Sequence, residues 1–75
     1  MALDGGSDGL DFYHRIAAGG WKHLTSGGKL AVEVGDGQAE AVAELLRKEE
    51  RYRDILIHRD LYGKERIVSA CSSEP

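Results

Sequence analysis

The 75-residue sequence is poor in cysteine, proline, tryptophan, phenylalanine and methionine, with one of each. A lone Cys71 cannot close an internal disulfide or build a zinc site by itself, which excludes disulfide-stapled and zinc-held scaffolds and fits a reducing compartment. No apolar run reaches the ~20 residues that a membrane helix needs, and no signal-peptide core follows Met1, so a cytoplasmic setting without membrane contact is expected. A basic excess is lacking too: Lys and Arg number 10 against 13 Asp and Glu, for a net charge of −3. Phosphate-backbone binding draws on clustered cations, so direct nucleic-acid binding is not expected. A chain this short buries only about 60% of its unfolded surface, which leaves room for one domain with a thin core.

What the sequence does have is glycine, 10 residues against an ordinary share of about 7%. The glycines fall in groups between periodic segments and so act as punctuation. Leu10–Leu24 reads as a helix capped by Ser7 or Asp8. At 100° per residue, Leu10, Tyr13, Ala17, Trp21 and Leu24 share an arc of roughly 80°. That phase runs through Gly19-Gly20, predicting one helix with a weak middle, while Phe12 and Ile16 form a second apolar stripe. Thr25-Ser26-Gly27-Gly28 ends it. Lys29–Val34 alternates as a strand with Leu30, Val32 and Val34 on one face. Gly35-Asp36-Gly37 turns into a helix over Gln38–Glu49, with Asp36 as candidate cap, Ala39, Val42, Leu45 and Leu46 inward, and a Glu44–Lys48 pair outside. Tyr52–His58 and Glu65–Cys71 are strands joined by a hairpin turning at Gly63, and Ser72–Pro75 is read as a disordered tail.

The order helix, strand, helix, strand, strand predicts an α/β fold. The first two strands run parallel through a right-handed crossover, and the last opposes its predecessor. A mixed three-stranded sheet with helices packed on it follows.

The run Ala2-Leu3-Asp4-Gly5-Gly6-Ser7-Asp8-Gly9-Leu10-Asp11-Phe12-Tyr13 resembles a segment of the HemK/PrmC methyltransferases. The likeness continues through Ser26-Gly27-Gly28-Lys29-Leu30, Glu33-Val34-Gly35 with Gln38, and Asp60-Leu61-Tyr62-Gly63 followed by Arg66-Ile67-Val68. The resemblance implies an S-adenosylmethionine-dependent enzyme that methylates the side-chain amide of a glutamine in peptide chain release factors. It implies the C-terminal part, residues 1–71, of a class I, Rossmann-like methyltransferase domain, whose last strand is antiparallel and central. Two parts of that family's pattern are missing: the glycine-rich cofactor loop and the Asn-Pro-Pro-Tyr motif, the only proline being Pro75. The chain alone is therefore expected to bind no S-adenosylmethionine and to be inactive, with a release factor as partner of the intact enzyme only.

Asp4, Gly5 and Gly6 are candidates for the acceptor-pocket wall through the resemblance, or else form a simple turn. Glu33 and Gln38 sit where a strand ends and a helix starts, the place where ligands collect in open α/β sheets. A solvated strand carboxylate and a helix-start amide are the plainer readings of the same two residues. His14, His23 and His58 lie on three elements with no metal-ligand spacing, so no metal site is expected. Cys71 has no neighbouring base and reads as a buried thiol, and Arg47–Arg51 reads as a solvated helix end. A free-standing α/β binding or protein-interaction module is the alternative. With no proline to blunt Lys29–Val34, that edge is expected to pair two copies as a homodimer, or to drive exchange of the first helix.

Overall fold

The computed structural model describes residues 9–73. The candidate caps Ser7 and Asp8, the pocket candidates Asp4, Gly5 and Gly6, and the terminal Glu74 and Pro75 lie outside that range.

Helix α1 covers Asp11–Gly19, with Leu10 at the cap position and no side-chain cap hydrogen bond. The single helix predicted as far as Leu24 changes character at the glycine pair, and Gly20–His23 is a 3₁₀ turn. A tyrosine from elsewhere in the chain causes the change. The helical series ends with Gly20 N–H donating to Ile16 O. The next pair would be Trp21 N–H and Ala17 O, and the Tyr52 hydroxyl stands between them. It accepts from Trp21 N–H at 2.9 Å and lies 3.1 Å from Ala17 O and 3.0 Å from Ile16 O as donor. A side chain inserted into the ladder breaks an α-helix in this way. Gly20 makes room for it, since a Cβ there would sit 3.3 Å from the hydroxyl.

After the turn at Gly27 (φ +74°), strand β1 spans Lys29–Glu33, and Val34 N–H continues the pairing to Arg66 O at 2.9 Å. Helix α2 spans Ala39–Glu49. Its cap position is Gln38 rather than the expected Asp36, because the Gln38 side chain folds back onto Gly35 N–H at 2.8 Å. The expected inward row Ala39, Val42 and Leu46 is buried, Leu45 is half-buried, and Ala43 joins them. On the wet side Glu44 pairs with Arg47 at 3.1 Å, one residue short of the expected Lys48. Strand β2 covers Tyr52–Arg59 with a bulge at Asp54 (φ +54°), and β3 covers Glu65–Ser72.

The sheet order is β1-β3-β2, and β3 opposes both neighbours. The outer strands thus run the same way with the last strand inserted between them. Each hydrogen-bonded pair here is antiparallel, so the expected mixing appears only as the shared direction of β1 and β2. The register sets Leu30 opposite Ala70 and Val32 opposite Val68, which also faces Ile57 across the sheet. This face receives both helices, around a core of Ala17, Val34, Ala39, Val42, Ala43, Leu46, Tyr52, Val68 and Ala70. Burial of a side chain such as Leu46 or Val42 contributes about 1.5–3 kcal/mol. Ser72, expected in the tail, is a strand residue that donates to Gly28 O at 2.7 Å, and Ser73 N–H reaches Arg51 O at 3.0 Å. Phe12, on the second apolar stripe, is 59% exposed.

Candidate functional site

Because β1 and β2 run together, their carboxyl ends lie at one end of the sheet, where β3 starts. Open α/β sheets place ligands at this end. A cleft of about 270 Å³ opens there, walled by Glu33, Val34, Arg66 and Ile67. Glu33 and Ile67 face each other across the β1–β3 ladder, and Val34 is tied to Arg66 by the hydrogen bond that extends it. The Tyr13 hydroxyl donates to Glu33 O at 2.7 Å, so α1 fixes the strand end from above. The Glu33 side chain is left exposed.

The hairpin joining β2 to β3 supplies the charge on the other wall. Asp60 Oδ1 accepts from Tyr62 N–H at 2.8 Å and Lys64 N–H at 3.0 Å, while Oδ2 accepts from Arg66 Nε at 3.0 Å. These bonds to Arg66 and to the backbone hold the Asp60 carboxyl below its ordinary range. The same contact holds the Arg66 guanidinium above its ordinary value, with Asp36 adding attraction. Arg66 is therefore a cation held on the hairpin by Asp60, at the same end of the sheet as Glu33. The sequence carries its signal in the six-residue spacing of Asp60 and Arg66 across a glycine turn, but the role as a cleft wall emerges only from the fold.

Of the sequence candidates, Glu33 lines the cleft and Gln38 is not among the described residues that do. The Gln38 amide oxygen is engaged at Gly35, where a Cβ would come within 3.0 Å of it. The strand-to-helix turn at Gly35–Gly37 is thus filled by its own glutamine, and it offers no open amide cradle of the kind that holds a nucleotide-bearing cofactor. At about 270 Å³ the cleft also falls below the ordinary range for an organic ligand, roughly 300–1,000 Å³.

No group of three metal-ligating side chains occurs among the described residues. His58 Nε2 lies 2.7 Å from Ser69 Oγ, a contact that satisfies a hydroxyl only 3% exposed within the sheet. Cys71, expected to be buried, is half-buried. No described helix is long and apolar enough to cross a membrane.

No protein-family model matches the chain. Among curated proteins, it is 50% identical over 70 residues to the release factor glutamine methyltransferase of Synechocystis sp., which covers 93% of this chain and 23% of that protein. The enzyme of the same name from Gloeobacter violaceus is 52% identical over 67 residues, 89% of this chain and 23% of the relative. That of Moorella thermoacetica is 40% identical over 74 residues, 99% of this chain and 26% of the relative. The chain thus spans about a quarter of the length of the curated relatives it matches. A crystal structure of protein-(glutamine-N5) methyltransferase (release factor-specific) from Alicyclobacillus acidocaldarius superposes with a TM-score of 0.72 at 33% identity, over 89% of this chain and 42% of that one. In sequence and in structure alike, this chain is similar to a segment of the release factor glutamine methyltransferases.

Proposed function

We propose that this chain supplies part of the methyltransferase domain of an enzyme that methylates a glutamine side-chain amide in a peptide chain release factor, with S-adenosylmethionine as donor. The 50% identity to the Synechocystis relative over 93% of the chain is the observation that carries the reading. Methyl transfer to an amide nitrogen depends chiefly on holding donor and acceptor close and in line. The contribution of this chain is wall and frame. Glu33 and Arg66 both line the crevice at the strand ends, with Gln38 bracing the turn behind it, and Asp4, Gly5 and Gly6 are kept as wall candidates through the resemblance alone. The chain alone binds no cofactor and is inactive, consistent with the self-filled turn at Gly35. The setting is the cytoplasm.

The test is a graft. Residues 2–71 replace the matching segment of the Synechocystis enzyme, and methyl transfer to a purified release factor is followed by mass spectrometry. The graft is expected to add one methyl group to a glutamine, and the 75-residue chain to add none. A folded, cofactor-binding graft that leaves release factor unmodified overturns the reading.

By itself the chain also has a bare edge. Among the described residues β1 pairs with β3 alone, so its outer N–H and C=O groups face away from the sheet. Such an edge templates pairing, and two copies joined antiparallel through β1 satisfy a twofold axis.

A further inference from the structure

The Glu33–Val34 peptide, where β1 ends at the strand-end cleft, has both of its polar atoms held. Val34 N–H donates to Arg66 O at 2.9 Å, toward β3. A trans peptide points its carbonyl opposite to its N–H, so Glu33 O faces away from β3. There the Tyr13 hydroxyl donates to it at 2.7 Å, from 20 residues earlier in the chain. The next donor, Gly35 N–H, is taken by Gln38 Oε1 at 2.8 Å. The strand end is thus locked from three sides, by β3, by α1 and by the residue that caps α2. Tyr13 is itself anchored, since its ring packs against the core and meets Phe12 edge-to-face at 5.3 Å. Water would satisfy an outward-facing carbonyl about as well as a tyrosine does. What the hydroxyl adds is a fixed place for the residue that carries the carbonyl.

The geometry points to Tyr13 as a positioning residue for the acceptor crevice, acting through Glu33. Holding the carbonyl fixes the Glu33 backbone, and with it the root of the side chain that lines the cleft. An ionised carboxylate only accepts hydrogen bonds, so the group it takes there is an N–H, from the main chain of the release factor segment that carries the glutamine. Arg66 lines the same cleft and only donates, so the two residues together suit a peptide backbone, which offers both N–H and C=O. This role rests on the methyltransferase reading above, and it names the acceptor's main chain as what the Glu33 side of the cleft holds.

The test uses the graft of residues 2–71 in the Synechocystis enzyme, with steady-state methyl transfer to release factor and calorimetry for S-adenosylmethionine. Tyr13→Phe should raise KM for release factor about threefold to tenfold, with kcat and the cofactor Kd within about twofold. A tyrosine that only stabilised the fold would instead lower the melting temperature and move both ligands together. Glu33→Ala should raise the same KM at least as far. Because Tyr13 acts through Glu33, the double variant should exceed Glu33→Ala by less than about twofold. 4-Aminophenylalanine at position 13 keeps a donor at the ring tip and should restore KM to within about twofold of the unsubstituted graft. An inactive unsubstituted graft overturns the methyltransferase reading and this role with it. In an active graft, the role of Tyr13 alone is overturned by an unchanged KM in Tyr13→Phe, by single effects that multiply in the double variant, or by a cofactor Kd that moves with KM. An unchanged KM in Glu33→Ala overturns it as well, which keeps the test decisive if Tyr13→Phe fails to fold.

Discussion

Removal of the Tyr52 hydroxyl and addition of a methyl group at Gly20 should be coupled, because the two atoms compete for one space. Tyr52→Phe deletes the group that bridges Trp21 N–H and Ala17 O. Leaving a buried donor and acceptor without partners costs about 1–3 kcal/mol, and the lower end applies if the helix closes and joins the two groups directly. Gly20→Ala alone gains up to ~1 kcal/mol of helix propensity. In the native protein that gain is opposed by the 3.3 Å approach of the new Cβ to the hydroxyl. With the hydroxyl gone the opposition falls away, so the double variant should be more stable than the two single changes predict, by about 0.5–1.5 kcal/mol. Urea unfolding of the four proteins by circular dichroism gives the four free energies. The fluorescence of Trp21, whose ring lies 4.2 Å from the Arg51 guanidinium, reports locally on the same junction. Changes that add to within about 0.3 kcal/mol would refute the inserted-hydroxyl account, as would Gly20→Ala delivering its full ~1 kcal/mol in the native background.

Gly19→Ala meets no neighbour and should raise stability by about 0.4–1 kcal/mol, chiefly by restricting the unfolded chain, and a loss in the same urea experiment contradicts the open site. Calorimetry with S-adenosylmethionine should show no binding, and one-site binding tighter than about 100 µM, or about 5.5 kcal/mol, would contradict the reading of a self-filled turn. The Asp60 carboxyl, depressed by Arg66 and the turn amides, should titrate by NMR below the ordinary ~3.9. Its contribution to stability is then fully present above that value and lost as pH falls through the lower folded value. Arg66→Gln should move the midpoint back up, and an unmoved midpoint removes Arg66 as the cause. Sedimentation at high micromolar concentration should show self-association that Ala31→Pro weakens if the ladder carries it, because proline donates no hydrogen bond, and a strict monomer ends that idea.

The sequence made β1 legible through Leu30, Val32 and Val34, and α2 through Ala39, Val42 and Leu46, because burial repeats at the period of each element. The central place of β3 is not written in its own residues. Its insertion between β1 and β2 was legible only through the family resemblance, since hydrophobic period specifies faces and not neighbours. The break at Gly19-Gly20 was visible as weak propensity, but its cause lies more than 30 residues away in Tyr52. The candidate site was legible in the same partial way. Glu33 was found from its position at a strand end, while Gln38, chosen on the same ground, spends its amide on Gly35. Arg66 was quoted as part of a hairpin motif, and only the β1–β3 register places it in the cleft.

The strand order β1-β3-β2 also governs when this unit can exist during synthesis. β1 and β2 have no hydrogen bonds to each other, and every ladder in the sheet runs through β3. Among the described residues, those up to Arg59 hold two strands and two helices with no ladder between the strands. The emerging segment must wait with Val32, Ile55 and Ile57 unsheltered until Glu65–Ser72 leaves the ribosome and slides between strands already made. A stop codon at the start of β3 would therefore remove both ladders together instead of trimming one edge.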